Sequence, residues 1–121
     1  MLLRAFALFA VWGTSVVAQD QVEAVTAPGG DLRVLDKLTG DVTDLSLQNG
    51  ETAALGFLKV TLNECRYPAA NPSGDAFAEI VVTYRDEPQP LFTGWILASS
   101  PALHAMDHPR YDIWALRCIT S

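Results

Sequence analysis

The feature that most restricts the fold is a strict alternation of apolar and polar residues near the middle of the chain. Leu58, Val60 and Leu62 alternate with polar residues between positions 58 and 63. Successive side chains of a β-strand point to opposite faces of the sheet, so this period of two predicts a strand with one buried face. A helix would instead repeat its apolar residues every three or four positions.

Turn residues divide the remaining sequence into short segments of the same kind. Gly40, the Asn49-Gly50 pair and proline-containing loops at 67–75 and 86–90 separate runs that are rich in β-branched and aromatic residues. The strands are predicted at 32–38, 42–47, 58–65, 77–84, 91–97 and 111–119. About six short strands with such turns are typical of a small single-domain all-β barrel or sandwich, and both architectures remain open.

One segment departs from the β pattern. Ser100 precedes Pro101, and a capping serine followed by proline at the first helical position is a typical helix start. The His108-Pro109 pair then ends the helix, because the residue before a proline avoids helical geometry. Residues 99–106 are therefore predicted to form one short helical turn before the last strand.

The N-terminal residues show the three parts of a cleavable secretory signal. Arg4 is the only charge before Asp20, residues 5–12 are apolar, and small residues precede a polar junction after Ala18. A retained transmembrane anchor is the alternative, but a span needs about 20 apolar residues. We expect residues 1–18 to be a cleaved signal peptide, 19–30 a flexible lead-in and 31–121 a disulfide-stapled β domain, periplasmic or secreted and without a membrane span.

The charge balance excludes some classes of partner. Loss of Arg4 with the signal would leave seven basic residues against fourteen acidic ones. Nucleic-acid binding needs a basic face, and so does electrostatic attraction to an anionic membrane. We therefore expect an acidic domain that does not bind nucleic acid.

The two cysteines, Cys65 and Cys118, are expected to form a disulfide because exported compartments are oxidising. The alternatives are a zinc site, which two cysteines alone cannot complete, or two buried thiols. In the chain-entropy model a bridge over this separation contributes roughly 4 kcal/mol. The bridge is predicted to staple the last strand to the third across the sheet. Plain alternation puts Cys118 on the face of Trp114 and opposite Ile113.

The residues that could bind a metal or catalyse a reaction lie together just before the last strand. His104, Asp107 and His108 have metal-ligating side chains, but no third ligand at a recognised spacing completes a site. Ser99 or Ser100 with the same residues has the composition of a hydrolase site. A catalytic triad, however, converges from separate elements, and these residues are consecutive on one. No cofactor and no catalytic residue is assigned.

The tryptophans Trp95 and Trp114 have two interpretations. Exposed tryptophans of β modules serve as stacking platforms for carbohydrates. In a domain this small, each is more economically used in the core, where its large side chain is removed from water. The core is therefore the favoured interpretation for both.

Residues 92–114, together with two shorter segments, resemble a known protein family. Residues 92–114 contain the runs Gly94-Trp95, Ala98-Ser99-Ser100-Pro101 and His108-Pro109-Arg110-Tyr111-Asp112-Ile113-Trp114. With residues 34–40 and Cys65-Arg66, this stretch resembles a family of small exported proteobacterial domains, domain-of-unknown-function family 2155. The resemblance covers about residues 31 to 118. It implies one domain with paired cysteines, and it brings no activity, cofactor or catalytic residue.

The expected function is a non-enzymatic binding or envelope-assembly module whose partner is an envelope protein or glycan. Loops on a rigid β scaffold often carry function, so the contact surface is placed around the segment before the last strand. Its candidate residues are Trp95, Ser99, Ser100, His104, Asp107, His108, Tyr111, Asp112 and Trp114. The alternative is a small metal-binding protein or hydrolase that uses His104, Asp107 and His108.

Overall fold

Eight β-strands form the regular structure of the chain in a computed structural model, which describes residues 23–120. No helix occurs in this part. The predicted signal peptide and the start of the lead-in lie outside the described residues. The strands are β1 (Ala24–Ala27), β2 (Gly29–Asp36), β3 (Val42–Gln48), β4 (Thr52–Leu55), β5 (Leu58–Pro68), β6 (Phe77–Tyr84), β7 (Phe92–Leu97) and β8 (Tyr111–Ile119).

The strands form two antiparallel sheets that pack face to face. One sheet has the order β1-β5-β6-β7, and β4 also pairs with β5; the other has the order β3-β2-β8. The all-β prediction is confirmed, and the sheets form a sandwich-like pair and do not close into a barrel. The alternation seen in the sequence builds the core, since Leu58, Val60 and Leu62 are all fully buried between the sheets.

The predicted number of strands is wrong because two short strands carry no clear sequence pattern. The strands β1 and β4 have four residues each, Ala-Val-Thr-Ala and Thr-Ala-Ala-Leu. Both pair with the same edge of β5, β1 with its C-terminal part and β4 with its N-terminal part. Residues 24–27 and 29–30, assigned to the lead-in from sequence, thus belong to strands.

The predicted helical turn before the last strand is not confirmed as a helix. The amide of Leu103 donates to the carbonyl of Ser100 at 3.0 Å, which closes one turn, and the chain does not continue as a helix. The ring of His104 instead packs back onto β7, where Nδ1 lies 2.9 Å from the carbonyl of Trp95. A tertiary contact has overridden the local preference that Ser100 and Pro101 express.

A β-bulge on β5 turns the first cysteine into the core. Up to Leu62 the inward residues of this strand are even-numbered, and the pairing with β6 then skips one residue, Asn63. The extra residue shifts the alternation by one, because a strand has a side-chain period of two. Cys65 therefore points between the sheets and is 1% exposed.

A second bulge, on β8, does the same for the other cysteine. The inward residues run through Ile113 and Ala115, and the pairing with β2 then skips Leu116. Cys118 is therefore buried on the core side. The prediction that it shares a face with Trp114 is wrong, because plain alternation does not anticipate the bulge.

The two cysteines form a disulfide that joins one sheet to the other. Their Cα atoms are 5.7 Å apart, and they are 53 residues apart in sequence. The bond links the third predicted strand to the last, as expected, although it crosses between sheets and not within one. It packs against Gly30, where a Cβ atom would lie 2.8 Å from Sγ of Cys65.

The chain passes twice between the sheets at one corner of the sandwich. It leaves β1 for β2 at Pro28, and it leaves β3 for β4 at the Asn49-Gly50 turn. The side-chain amide of Asn49 donates to the carbonyl of Ala27 at 2.7 Å, and the backbone amide of Gly50 donates to the carbonyl of Leu62 at 2.6 Å. The predicted turn therefore connects two sheets and does not close a hairpin.

The packing of Gly30 against the disulfide gives a testable consequence for stability. Gly30→Ala is expected to lower the free energy of unfolding by about 1–3 kcal/mol, since the new methyl group overpacks a filled core. In a Cys65→Ala/Cys118→Ala background the sulfur is gone, and the cost should fall. Urea unfolding followed by circular dichroism measures this double-mutant cycle. An equal cost in both backgrounds would contradict the contact.

Candidate functional site

The connection from β7 to β8, residues 98–110, contains five of the residues that the sequence nominated. Its first part is anchored to Asp75, which precedes β6. The hydroxyl of Ser99 donates to Oδ2 of Asp75 at 2.6 Å, and the amide of Ser99 donates to Oδ1 at 3.0 Å. Ser100 is exposed. Ser99 thus anchors the start of this connection to Asp75.

His104 lies against the free edge of β7. Since a carbonyl can only accept, Nδ1 of His104 carries the hydrogen in its bond to Trp95. Its ring lies 4.7 Å from that of Phe92. A Cβ atom on Gly94, whose φ is +142°, would lie only 2.6 Å from the ring. Gly94 therefore gives the imidazole room to cover an edge that would otherwise be open to pairing.

His108 has a different set of neighbours at the start of β8. Its Nδ1 accepts hydrogen bonds from the amides of Arg110 at 3.1 Å and Tyr111 at 3.3 Å. Its ring is 5.8 Å from that of Tyr111 and 5.1 Å from that of Tyr84. Lys37 donates to the His108 carbonyl at 2.7 Å. His108 therefore organises the turn into β8.

An ion pair holds the same turn against the end of β2. The guanidinium of Arg110 donates to Asp36, with a closest distance of 2.9 Å. The hydrogen bonds from Arg110 lower the pKa of Asp36 from its ordinary value, helped by the amides of Leu38 and Thr39 and opposed by burial.

The residues proposed for metal binding or hydrolysis do not form one site. The side chains of His104 and His108 bind different neighbours, and Asp107 is exposed. Between residues 23 and 120 no three His, Cys, Asp or Glu side chains are close enough to hold a metal. The Ser99 hydroxyl donates to Asp75 and not to His104. His104 instead contacts the edge of β7, His108 the turn into β8, and Ser99 the carboxylate of Asp75.

The two tryptophans lie on opposite outer faces of the sandwich. Trp95 is on β7 of the first sheet, and Trp114, with Asp112, is on the outward side of β8. Both indoles are half-buried and neither belongs to the buried core, which corrects the expectation that both lie there. Tyr111, also nominated for the contact surface, is buried in the core, which corrects that expectation. The other nominated residues are spread over two faces and the β7–β8 connection.

Trp95 belongs to an apolar area on the outer face of the five-stranded sheet, here called the Trp95 patch. It consists of Ala24, Arg66, Phe77, Trp95 and Leu97. Neighbouring strands bring them together, because Arg66 pairs with Phe77 and Phe77 pairs with Leu97 in the sheet register. The guanidinium of Arg66 lies 5.4 Å from the centre of the Trp95 ring system, at cation–π distance.

Hydrogen bonds fix the position of Arg66 in the patch. Its Nε donates to Glu64 at 2.8 Å, and the hydroxyl of Thr26 donates to the same carboxylate oxygen at 3.0 Å. The bond from Arg66 lowers the pKa of Glu64, while burial acts in the opposite direction. The patch therefore combines an aromatic centre with a positioned arginine.

Sequence reasoning missed a second surface, here called the Phe57 groove. It is a groove of about 600 Å³ lined by Gly56, Phe57, Lys59, Arg85, Asp86, Glu87 and Pro88. It forms where the β4–β5 turn meets the β6–β7 loop, and the amide of Arg85 donates to the carbonyl of Phe57 at 2.7 Å. The available signal was Phe57 beside Gly56 in a two-residue turn, where an apolar ring has no core to enter.

Comparison with known proteins places the chain in a family. The family described as "Uncharacterized protein conserved in bacteria (DUF2155)" matches residues 30–118. The chain belongs to this family. The match begins at Gly30, which packs on the disulfide, and ends at Cys118, so the family region contains the whole inter-sheet bridge.

A relative from Rickettsia prowazekii (strain Madrid E), "Uncharacterized protein RP359", is 30% identical over 92 residues. The alignment covers 74% of this chain and 59% of the relative, so the chain spans about three fifths of that protein. No solved structure shows a significant match. Within residues 23–120 no helix is long and apolar enough to cross a membrane.

The edge role of His104 can be tested against a metal role. His104→Ala removes the bond to Trp95, so we expect faster hydrogen exchange of the β7 amides and a loss of roughly 1 kcal/mol in unfolding free energy. Leu103→Ala, at an exposed neighbouring position, is the control and should change neither. Unchanged exchange in His104→Ala, together with loss of saturable zinc binding in calorimetry, would contradict the edge role.

The Asp36–Arg110 pair predicts a pH dependence. Since the pKa of Asp36 is lower in the folded chain than its ordinary value, its stabilising effect is complete above that value, about 3.9, and disappears as pH falls through the folded-state pKa. Urea unfolding between pH 6 and about pH 2 should show a smaller acid loss for Asp36→Asn than for the unmodified chain. Asp41→Asn, whose carboxylate pairs with no arginine among the described residues, is the control. Parallel curves for Asp36→Asn and the unmodified chain would refute this assignment.

Proposed function

We propose that the chain is an exported, non-enzymatic binding module that contacts an envelope protein through the outer face of its five-stranded sheet. The observation that carries this proposal is the Trp95 patch. An outward sheet face normally carries polar side chains, whereas here Phe77, Trp95 and Leu97 lie together on neighbouring strands.

The composition of the patch is that of a protein interface. Tryptophan and arginine are enriched among the residues that contribute most to protein–protein affinity, and aromatic side chains are enriched at interface centres. Trp95 and Phe77 supply the aromatic side chains of the patch, and Arg66 is already held in place by Glu64. A surface that is ordered before binding loses less side-chain entropy when the partner arrives.

A protein partner is favoured over a glycan. A sugar ring that stacks on an indole needs one open face of that ring. The guanidinium of Arg66 lies over Trp95 at 5.4 Å, and the Glu64 bond holds it there. The apolar neighbours Ala24 and Leu97 offer no hydrogen-bonding groups to sugar hydroxyls from their side chains.

Two further observations support an exported location. The N-terminal residues have the composition of a secretory signal. The chain also places its two cysteines in bonding distance in the core, and disulfides persist in oxidising compartments. An inter-sheet bridge is of use to the fold only where it can remain oxidised.

The two outward tryptophans provide a matched test of this proposal. Crosslinking in intact cells should recover a defined partner from the periplasmic fraction, and Trp95→Ala should reduce that product by about tenfold or more. Trp114→Ala removes the same side chain from the opposite sheet and should leave the product unchanged. Circular dichroism must show that both variants fold.

Three results would contradict the proposal. The product could survive Trp95→Ala, it could depend on Trp114 in place of Trp95, or the chain could be found only in the cytoplasmic fraction. The first two results would show that the binding face is wrong, and the third that the location is wrong, in a protein that still folds.

A further inference from the structure

Arg85 is exceptional among the arginines of residues 23–120. Each of the other four, Arg33, Arg66, Arg110 and Arg117, forms an ion pair with a carboxylate within 3.0 Å. The side chain of Arg85 forms no such pair with any described residue, although the chain carries an excess of acidic residues. Its charge is therefore available to a group that is not part of the fold.

The backbone at Arg85 is held in a conformation that arginine rarely adopts. Its φ is +57°, and it is the only non-glycine residue of the described part with a positive φ. The amide of Arg85 is fixed by the carbonyl of Phe57 at 2.7 Å, which joins the β6–β7 loop to the β4–β5 turn. Backbone strain of this kind persists where surrounding contacts impose it, and it is concentrated at ligand-binding positions.

The strained backbone places the guanidinium over an exposed ring. The guanidinium carbon lies 4.4 Å from the centre of the Phe57 ring and 5.4 Å from that of Tyr84. Phe57 is 54% exposed, and its ring meets Tyr84 edge-on at 6.4 Å. A stacked guanidinium keeps its N–H groups free for the two oxygens of a carboxylate. The site therefore has a positioned anion binder beside an open apolar surface.

The charges of the other residues that line the groove limit the chemical class of ligand it can bind. Lys59 adds a second cation, whereas Asp86 and Glu87 add two carboxylates. A doubly charged phosphate would meet repulsion from the two carboxylates. A single carboxylate next to an N–H donor matches both halves of the lining, because the carboxylate can bind the cations and the N–H can bind an acidic side chain.

We propose that the Phe57 groove binds an apolar residue that carries a free α-carboxylate. The carboxylate binds Arg85 and Lys59, the neighbouring N–H group donates to Asp86 or Glu87, and the apolar side chain packs on Phe57. This chemistry belongs to the C-terminal residue of a peptide and equally to a free amino acid. The site is separate from the Trp95 patch and does not depend on it.

Three small probes and phosphate test the ligand class on the purified full chain. N-acetyl-Ala-Ala-Phe with a free carboxylate should bind saturably in calorimetry and shift the amide resonances of residues 56–59 and 84–88. Its C-terminal amide should bind about tenfold or more weakly. Free phenylalanine that binds as tightly as the peptide would assign the site to amino acids, and weaker binding would assign it to peptide C-termini. Equal binding of the amide, or tighter binding of inorganic phosphate, would overturn the proposal.

Variants of Arg85 and Phe57 test whether these two residues bind the peptide. Arg85→Gly keeps the positive φ without steric cost, so the loop should keep its shape while peptide binding falls about tenfold or more. Arg117→Gln removes an exposed arginine elsewhere and should leave binding unchanged. If Arg85→Gly alters the loop, Phe57→Ala serves as the second variant, and it too should weaken binding. Full binding by both Arg85→Gly and Phe57→Ala would overturn the proposal.

Discussion

The disulfide between the sheets is the constraint on which the rest of this structure depends. A sandwich of two small sheets has a modest core, and a bridge of this separation contributes roughly 4 kcal/mol when it is unstrained. The bond forms because a bulge on each strand turns Cys65 and Cys118 inward, and because Gly30 leaves room beside the sulfur. The disulfide therefore depends both on the register of the two strands and on the small size of Gly30.

Much of the fold follows from local sequence, and the exceptions have physical causes. The alternation at Leu58, Val60 and Leu62 predicts β5 and its buried face, because burial on one side imposes that period. The bulges at Asn63 and Leu116 depend on register with the neighbouring strand, which one sequence does not display. Four-residue strands and the turn after Ser100 likewise take their conformation from tertiary contacts.

The candidate surfaces were less predictable than the fold. Sequence proximity grouped the residues between Trp95 and Trp114, but alternate strand faces and the two-sheet arrangement separate them. The Trp95 patch instead collects side chains from four strands. Contact between Phe57 and Arg85 arises because two turns meet at one end of the sandwich. Both surfaces are made by the strand order of the five-stranded sheet, and the disulfide joins that sheet to the other one.

The most direct test of this account is the redox state of the two cysteines in the cell. Protein recovered from cells with free thiols blocked at lysis should give, after proteolysis without reductant, one peptide pair that joins Cys65 to Cys118. Both cysteines should be inaccessible to the blocking reagent until the disulfide is reduced. Recovery of both residues as blocked thiols in folded protein would contradict the account, since the covalent link between the two sheets would then be absent.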